Sequence, residues 1–288
     1  MTLLFRTSES TWSVRVLHDV DRGRILTFLG REPLLNVFLL SKIQEEGLTA
    51  THTVEVRSGD RTICVASLGG NVILAAARPR ERPALDGALS LVAERILNRS
   101  IPVRAIVSEA DLVEGLWTHL RRRLTPPTVS RLRQPVYALE HAQFLGDLDR
   151  VRYGRPGDLD LLVPACAAMH REEVGIDPLE RDAFSYRERV RELIAMQRSL
   201  VQIENGEVVF KCELSAVTDE AVQLMGVWTS PRFRNRGLAG AALREICGHL
   251  LRRGRKVTLF VNDFNLVATR LYERLGFRVI GENRALIW

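Results

Sequence analysis

The sequence predicts an α/β chain of the α+β kind, built as two tandem domains over residues 1–145 and 146–288. Each domain is expected to be a mixed, mostly antiparallel sheet flanked by helices. Three observations predict this. Short runs rich in β-branched residues alternate with stretches of helical apolar spacing. The 288 residues exceed the usual length of one domain. And the pattern recurs: Leu89 and Leu243, Val107 and Val261, and Asp111-Leu112-Val113 and Asn265-Leu266-Val267 share one offset of 154 positions (243 less 89).

Taken in order, Val14–Leu17 reads as a strand, and Asp21 is placed to cap a helix carrying Ile25, Leu26 and Leu29. Pro33 interrupts that helix. A second helical stretch, Leu34 to Ile43, ends at Gly47. His52–Val56, Thr62–Leu68 and Val72–Ala76 are apolar runs separated by turn signals at Ser58-Gly59-Asp60 and Gly69-Gly70-Asn71, the pattern of an antiparallel meander. A helix over Ala84–Asn98, a strand Val103–Val107, a helix Ala110–Arg123 and a strand Val136–Leu139 complete the first half. The boundary falls between Glu140 and Arg150. The second half repeats the order: helix Leu159–Met169, a break at Pro178–Asp182, helix Ser185–Gln197, strand Leu200–Ile203, a turn at Asn205-Gly206, strand Val208–Leu214, a turn at Thr218–Glu220 and strand Val222–Trp228.

Composition narrows the function classes. At 46% hydrophobic and 26% charged the chain is globular. No apolar run approaches the roughly 20 residues of a membrane span, and Met1–Val14 lacks the apolar core of a signal peptide. The expectation is a cytoplasmic protein without a membrane partner. Cys64, Cys166, Cys212 and Cys247 are scattered among apolar neighbours, and no pair has zinc-ligand spacing, so they read as reduced buried thiols and no metal is expected. The net charge is +6 and the pI about 9.5, with only 3 lysines among 41 basic residues. Such a surface suits an anionic cofactor, an acidic substrate or nucleic acid. The arginines are spread along the chain, and the densest tract, Arg121-Arg122-Arg123, reads as a solvated helix end. With no zinc knuckle, helix-turn-helix or aromatic RNA-binding motif, nucleic-acid binding ranks last.

The stretch that organises the chemistry is Val227 to Ala242, VWTSPRFRNRGLAGAA. A strand ends at Trp228, Pro231 stops it, and a basic loop opens onto Leu243, Ile246, Cys247, Leu250 and Leu251 at helical spacing. A helix N-terminus offers free N–H groups and a dipole that favours an anion. Gly237 lets the backbone approach a ligand closely. Arg232, Arg234 and Arg236 add charge, and the whole reads as a diphosphate cradle. Downstream, strand Val257–Val261 leads to Asn262-Asp263-Phe264-Asn265, which caps a helix carrying Ala268, Leu271, Tyr272 and Leu275. Gly276 ends that helix, and Phe277–Ile280 follows as a strand.

These two motifs resemble the signatures of the GNAT superfamily of acyl-CoA N-acyltransferases: Arg234, Gly237 and Ala239 fill the acyl-CoA-binding pattern, and Asn262, Asn265, Ala268, Tyr272 and Gly276-Phe277 the second. The resemblance covers Val151 to Trp288 well and the first half loosely. Some two-part bacterial GNAT proteins with an uncharacterised first half look like this chain. It implies acetyl-CoA as cosubstrate and a primary amine as acceptor, whose identity the sequence does not give. A homodimer stays open. It further implies that the backbone of Val227, Trp228 and Thr229 pairs with the pantetheine arm, that the amides of Arg234, Asn235, Arg236, Gly237, Leu238, Ala239 and Gly240 hold the diphosphate, and that Asn265 binds pantetheine amides with Ala268 on the same face. Tyr272 would give its proton to the leaving sulfur.

Acyl transfer also needs a base for the ammonium proton. Glu213, on the strand before the cofactor strand, is the first candidate; Glu172 and Glu173, which follow the first helix of that half, and His170 are the others. At the 154-residue offset Pro83 stands where Gly237 stands, and proline has no N–H to offer. The first half is therefore expected to be a degenerate copy that has lost its cradle, with Arg78, Pro79 and Arg80 making a stiffer turn. The alternative function is a catalytically silent acyl-CoA-binding regulator.

Overall fold

The elements run β1 (Leu3–Thr7), β2 (Ser10–Val16), α1 (Arg22–Leu29), α2 (Val37–Ala50), β3 (Thr53–Ser58), β4 (Arg61–Leu68), β5 (Asn71–Ala76), α3 (Arg82–Leu97), β6 (Ala105–Glu109), α4 (Ala110–Leu120) and β7 (Val129–Leu139). They continue with β8 (Arg152–Tyr153), α5 (Leu159–Val174), α6 (Pro178–Ala195), β9 (Ser199–Glu204), β10 (Glu207–Val217), β11 (Ala221–Thr229), α7 (Leu238–Arg252), β12 (Lys256–Phe260), α8 (Leu266–Arg274) and β13 (Arg278–Ile287). This computed structural model describes residues 3–7 and 10–288.

The chain forms two compact units. The first holds residues 1–137 together with Phe260–Leu266 and Val279–Trp288; the second holds Ala138–Leu259 and Val267–Arg278. The division is thus not a single cut, since the last strand of the chain packs with the first unit.

In the first unit β1 to β5 pair antiparallel in sequence order, the meander included. Thr53↔Ser67 and Val65↔Ala75 mark its registers. β5 then pairs parallel with β6, at Asn71↔Ala105 and Val72↔Ile106, and β13 lies antiparallel on the far side of β6, with Ala285 opposite Val107. β7 is the next neighbour of β13. Apolar residues of α3 and α4 such as Leu89, Val92, Leu112 and Leu116 cover one face, joined by Leu286 of β13, while α1 and α2 supply Ile25, Leu29, Leu39 and Ile43 to a separate cluster. At about 25 cal/mol per Å² of apolar surface removed from water, burial of this kind dominates the folding free energy.

In the second unit the order is β12-β11-β10-β9-β8. The β9–β10 hairpin turns through Asn205 (φ 50) and Gly206 (φ 78), the two left-handed residues of a tight two-residue turn. α5 and α6 pack Leu162, Cys166, Val190 and Ile194 against Val201 and Val208. The carboxylate of Glu245 on α7 accepts the amides of Asp149, Arg150 and Val151 at 3.0–3.1 Å and fixes the entry into the unit.

Several local expectations shift. Asp21 precedes α1 but does not cap it by its side chain; its carboxylate instead takes Arg15 and Arg24. The α2 helix runs past Gly47, which kinks it at φ 80, rather than ending there. The break at Pro178–Asp182 reduces to Asp182 alone, because Asp177 caps α6 by accepting the Leu179 amide and Pro178 suits the first helical turn. α5 extends to Val174 and closes on Gly175 in the left-handed conformation, so His170, Glu172 and Glu173 sit in its last turn instead of beyond it.

Candidate functional site

The site of the second unit is built on β11 and the turn that follows it. β11 pairs with β12 at Ala221↔Lys256, Val222↔Val257 and Gln223↔Thr258, and among the described residues no further pair joins them. Beyond Gln223 the two parallel strands part, and the edge of β11 from Leu224 to Thr229 faces the gap. Main-chain groups along such an edge seek partners, because a buried unpaired amide costs about as much as a lost hydrogen bond.

β11 also carries a bulge. Lys211 lies opposite Trp228 and Glu213 opposite Met225, so Gly226 and Val227 together face the single residue Cys212. Gly226 takes φ 58, where glycine alone is comfortable. The bulge turns its carbonyl toward Lys211, whose Nζ donates to it at 3.0 Å and to Glu213 Oε1 at 2.7 Å. Lys211 is 0% and Glu213 5% exposed. Burial alone would raise the Glu213 carboxyl, but the Lys211 charge and hydrogen bond hold it below the ordinary range; for Lys211, burial works downward and the Glu213 charge more than offsets it. The pair is charged, buried and braced against the bulge. A carboxylate so held is a weak proton acceptor. The pair has a signal in the sequence: Lys211 and Glu213 alternate with Phe210, Cys212 and Leu214, so two opposite charges share one face of an otherwise apolar stretch, Val208 to Leu214.

After β11 the chain passes Pro231–Phe233 and reaches Asn235 (φ 60) and Gly237 (φ 76), the latter at the N-cap of α7. A side chain at Gly237 would meet nothing within 4 Å, so the turn is open. The first intrahelical bond runs from the Ala241 amide to the Gly237 carbonyl at 3.1 Å. The amides of Leu238, Ala239 and Gly240 precede it and are free by helix geometry. A turn through left-handed residues that runs into a helix N-terminus gathers N–H groups on one side, an arrangement that binds anions. Arg236 stacks on Phe233 at 5.3 Å. Arg234 donates through Nε to the Thr229 carbonyl at 3.0 Å and through Nη2 to Glu172 at 2.6 Å, and Glu172 also accepts from Trp228 Nε1 at 3.2 Å. Glu172 thus ties the last turn of α5 to both the strand and the loop.

Tyr272 on α8 is buried, edge-on to Phe277 at 5.8 Å. Burial first, then the charges of Cys212 and Glu173, push its phenol above its usual value, so it holds its proton at neutral pH. His170 lies 6.2 Å from the Tyr186 ring. Ala268 lies one turn before Tyr272 on α8. Asn265 ends the loop before that helix, donating its amide to the Asn262 carbonyl at 2.9 Å, and belongs to the segment that packs with the first unit.

In the first unit the corresponding features are closed. β5 and β6 part after two pairs, but Ser108 of β6 reaches across and its Oγ accepts the Leu74 amide at 2.7 Å. Arg78 and Arg80 are both paired with Glu109, and Arg80 also with Asp111 at 2.7 Å. Pro83 stands in the first turn of α3, so of the three residues between the N-cap Glu81 and the first helical bond from Leu85, only Arg82 and Ala84 carry a free amide.

Residues 211–286 match the family model of FR47-like protein, and residues 50–162 match that of a domain of unknown function, DUF4081. Among solved structures, the chain is similar to a GCN5-related N-acetyltransferase from Sphaerobacter thermophilus, at TM-score 0.58 and 19% identity, covering 95% of this chain and 94% of that one. It is also similar to an acetyltransferase from the GNAT family of Colwellia psychrerythraea (TM-score 0.56, 12% identity, 96% and 99% covered). A third is a tandem GNAT protein from the clavulanic acid biosynthesis pathway (TM-score 0.52, 12% identity, 96% and 98% covered). The chain is a GNAT-fold protein. No curated protein matches it. Within the GNAT fold the parted parallel strands and the glycine turn before α7 are features of the second unit, while the first unit keeps the strands and lacks the turn. No helix among the described residues is long and apolar enough to cross a membrane.

Proposed function

We propose that the second unit is an N-acyltransferase that moves an acetyl group from acetyl-CoA to a primary amine. The observation that carries this reading is the junction of two features at one strand end. The free edge of β11 beyond Gln223 runs directly into the open N-terminus of α7, with Asn235 and Gly237 left-handed. An extended amide-bearing arm that ends in a diphosphate matches both. Val227, Trp228 and Thr229 bind the arm through the main chain, and the amides from Asn235 to Gly240 take the diphosphate, the Arg234 amide being donated to the Pro231 carbonyl at 3.4 Å instead; Asn265 and Ala268 stay in the proposal on the sequence pattern alone. When bound, the thioester supplies the activated acyl group.

The residues of the chain then bind, orient and move protons. Tyr272, protonated at neutral pH, is suited to donate to the departing thiolate. Glu213 acts through Lys211 as a positioning residue that fixes the bulge, and the ammonium proton goes to a carboxylate in the last turn of α5, Glu172 or Glu173; Glu173 bears on Tyr272, and Glu172 is engaged by Trp228 and Arg234.

The test is Tyr272→Phe assayed for acetyl-CoA affinity by calorimetry and for CoA release against a panel of amines. The expected result is unchanged affinity with a turnover number lower by about 10²–10⁴-fold, the usual worth of a positioned acid. Wild-type protein that binds acetyl-CoA and releases no CoA with any amine would instead make the unit a silent acyl-CoA-binding regulator. Wild-type turnover in the variant would remove Tyr272 from the reaction.

A further inference from the structure

We propose that the first unit binds a small polyanion in a groove of its own, between α1, the β3–β4 hairpin and the residues after β5. The groove encloses about 820 Å³, within the roughly 300–1,000 Å³ of ordinary small-ligand sites. Five arginines line it: Arg24 and Arg31 from α1, Arg57 and Arg61 from the hairpin, and Arg78 beyond β5, against a single lining carboxylate, Asp60.

The five are not equivalent. Arg24 is held bidentate by Glu55, which is fully buried behind it, at 2.5 and 2.8 Å. Arg78 is paired with Glu109 and with Glu32. These two are fixed cations, one on α1 and one beyond β5. The other three are loosely engaged. Arg31 is exposed, stacks on Phe28 at 5.8 Å and has no carboxylate partner among the described residues. Arg57 Nη2 donates to the Asp60 carbonyl at 2.7 Å but meets the Asp60 carboxylate only at 3.7 Å, with that side chain wholly in solvent, and its Nε is buried without a hydrogen-bond partner. Arg61 and Glu81 stand 3.5 Å apart with both side chains more than half exposed. Exposed pairs of that kind contribute little and are easily exchanged. A phosphate or carboxylate group offers the same guanidinium a two-point acceptor and can displace them. Cations on three separate walls call for a ligand with at least two anionic groups. Phosphates and carboxylates share this chemistry. The cradle at Gly237 plays no part, so the proposal stands apart from acyl transfer.

The experiment titrates inorganic pyrophosphate and, separately, citrate into the full chain by calorimetry at physiological salt. Wild type and Gly237→Pro are compared with Arg57→Gln/Arg61→Gln. Saturable binding of one anion is expected in both of the first two proteins. The arginine double variant should weaken it about tenfold or more, the worth of a charge-assisted hydrogen bond, with an unchanged circular-dichroism melt. Pyrophosphate as the tighter of the two identifies a phosphorylated ligand, and citrate a polycarboxylate. Should the double variant not fold, Arg31→Gln, at an exposed and unpaired position, must weaken binding in the same direction. Neither anion binding, equal affinity in the arginine variants, or binding lost only in Gly237→Pro overturns the proposal. So does binding confined to a long oligonucleotide with steep salt dependence.

Discussion

The two units open their sheets at the same place and use the opening differently. In the second, β11 leaves β12 after three pairs and its free edge ends in an open turn with left-handed Asn235 and Gly237. In the first, β5 leaves β6 after two, yet the Ser108 hydroxyl closes the gap onto Leu74, Arg78 and Arg80 are bound to Glu109, and Pro83 occupies the first turn of α3. The lesson is that parting two parallel strands does not by itself make a site. The released backbone must be left unsatisfied, and the next helix must start with amides instead of a proline.

The largest expected effect comes from erasing this difference. The structure sets Glu81, not Pro83, at the N-cap that Gly237 occupies in α7, two residues off the 154-residue offset; Gly237→Pro still brings the first unit's proline to this helix start, where it removes an amide and cannot adopt φ 76. Acetyl-CoA binding should vanish while circular dichroism still reports a folded chain. Wild type should titrate with one acetyl-CoA per chain, because Pro83 removes a donor from the first turn of α3 and Arg78 and Arg80 are already bound to carboxylates. Two equivalent sites would show that the comparison is mistaken.

A second contrast lies in the buried carboxylates. Glu213 and its partner Lys211 are both sealed from water, whereas Glu55 is sealed but its partner Arg24 is 42% exposed at the side chain. Lys211→Met leaves Glu213 buried and unpaired and should cost about 3–5 kcal/mol in chemical denaturation. Lys211→Met/Glu213→Leu should recover most of that stability while raising KM for acetyl-CoA, since nothing then braces the Gly226 carbonyl. If the double variant keeps a wild-type KM, the pair does not position the bulge.

The smallest effect is in pH. Burial pushes the Glu55 carboxyl up, but hydrogen bonds from Arg24 and Thr62 bring it below its ordinary 4.5. A carboxyl with a depressed folded value contributes stability that is fully present above the unfolded value and is lost as pH falls through the folded one. Wild type should therefore lose stability progressively as pH falls below about 4.5, and Glu55→Gln should flatten that acid limb while changing little of the slope above it. Thermal melts from pH 6 to pH 3 read the slope directly.

Much of this was legible in the sequence because it is local. The meander follows from apolar runs between Gly59 and Gly69-Gly70, the hairpin from Asn205-Gly206, and the turn before α7 from Gly237 behind three arginines. What escaped is set by partners distant in sequence. The bulge at Gly226 depends on register against Cys212. The Ser108 contact depends on how far β5 and β6 diverge. The tie from Glu172 to Trp228 and Arg234 needs α5 to run one turn longer than its apolar spacing shows. The place of β13 beside β6 has no signal at all in a chain read segment by segment, since its alternation suits any neighbouring strand.

That last feature bears on how the protein is made. The ribosome releases β6 long before β13, and at roughly 5–20 residues per second the stretch from Glu109 to Arg278 takes on the order of ten seconds or more. Throughout that interval one side of β6 presents unpaired main chain in a nascent polypeptide, the kind of edge on which neighbouring chains pair or exchange strands. Cutting the gene between the units would make the interval permanent. A first half expressed alone would lack Leu286 in its core and the ladder from Ala105 to Glu109, so it should be recovered as aggregates or strand-exchanged oligomers, and supplying β13 as a peptide should restore a soluble monomer.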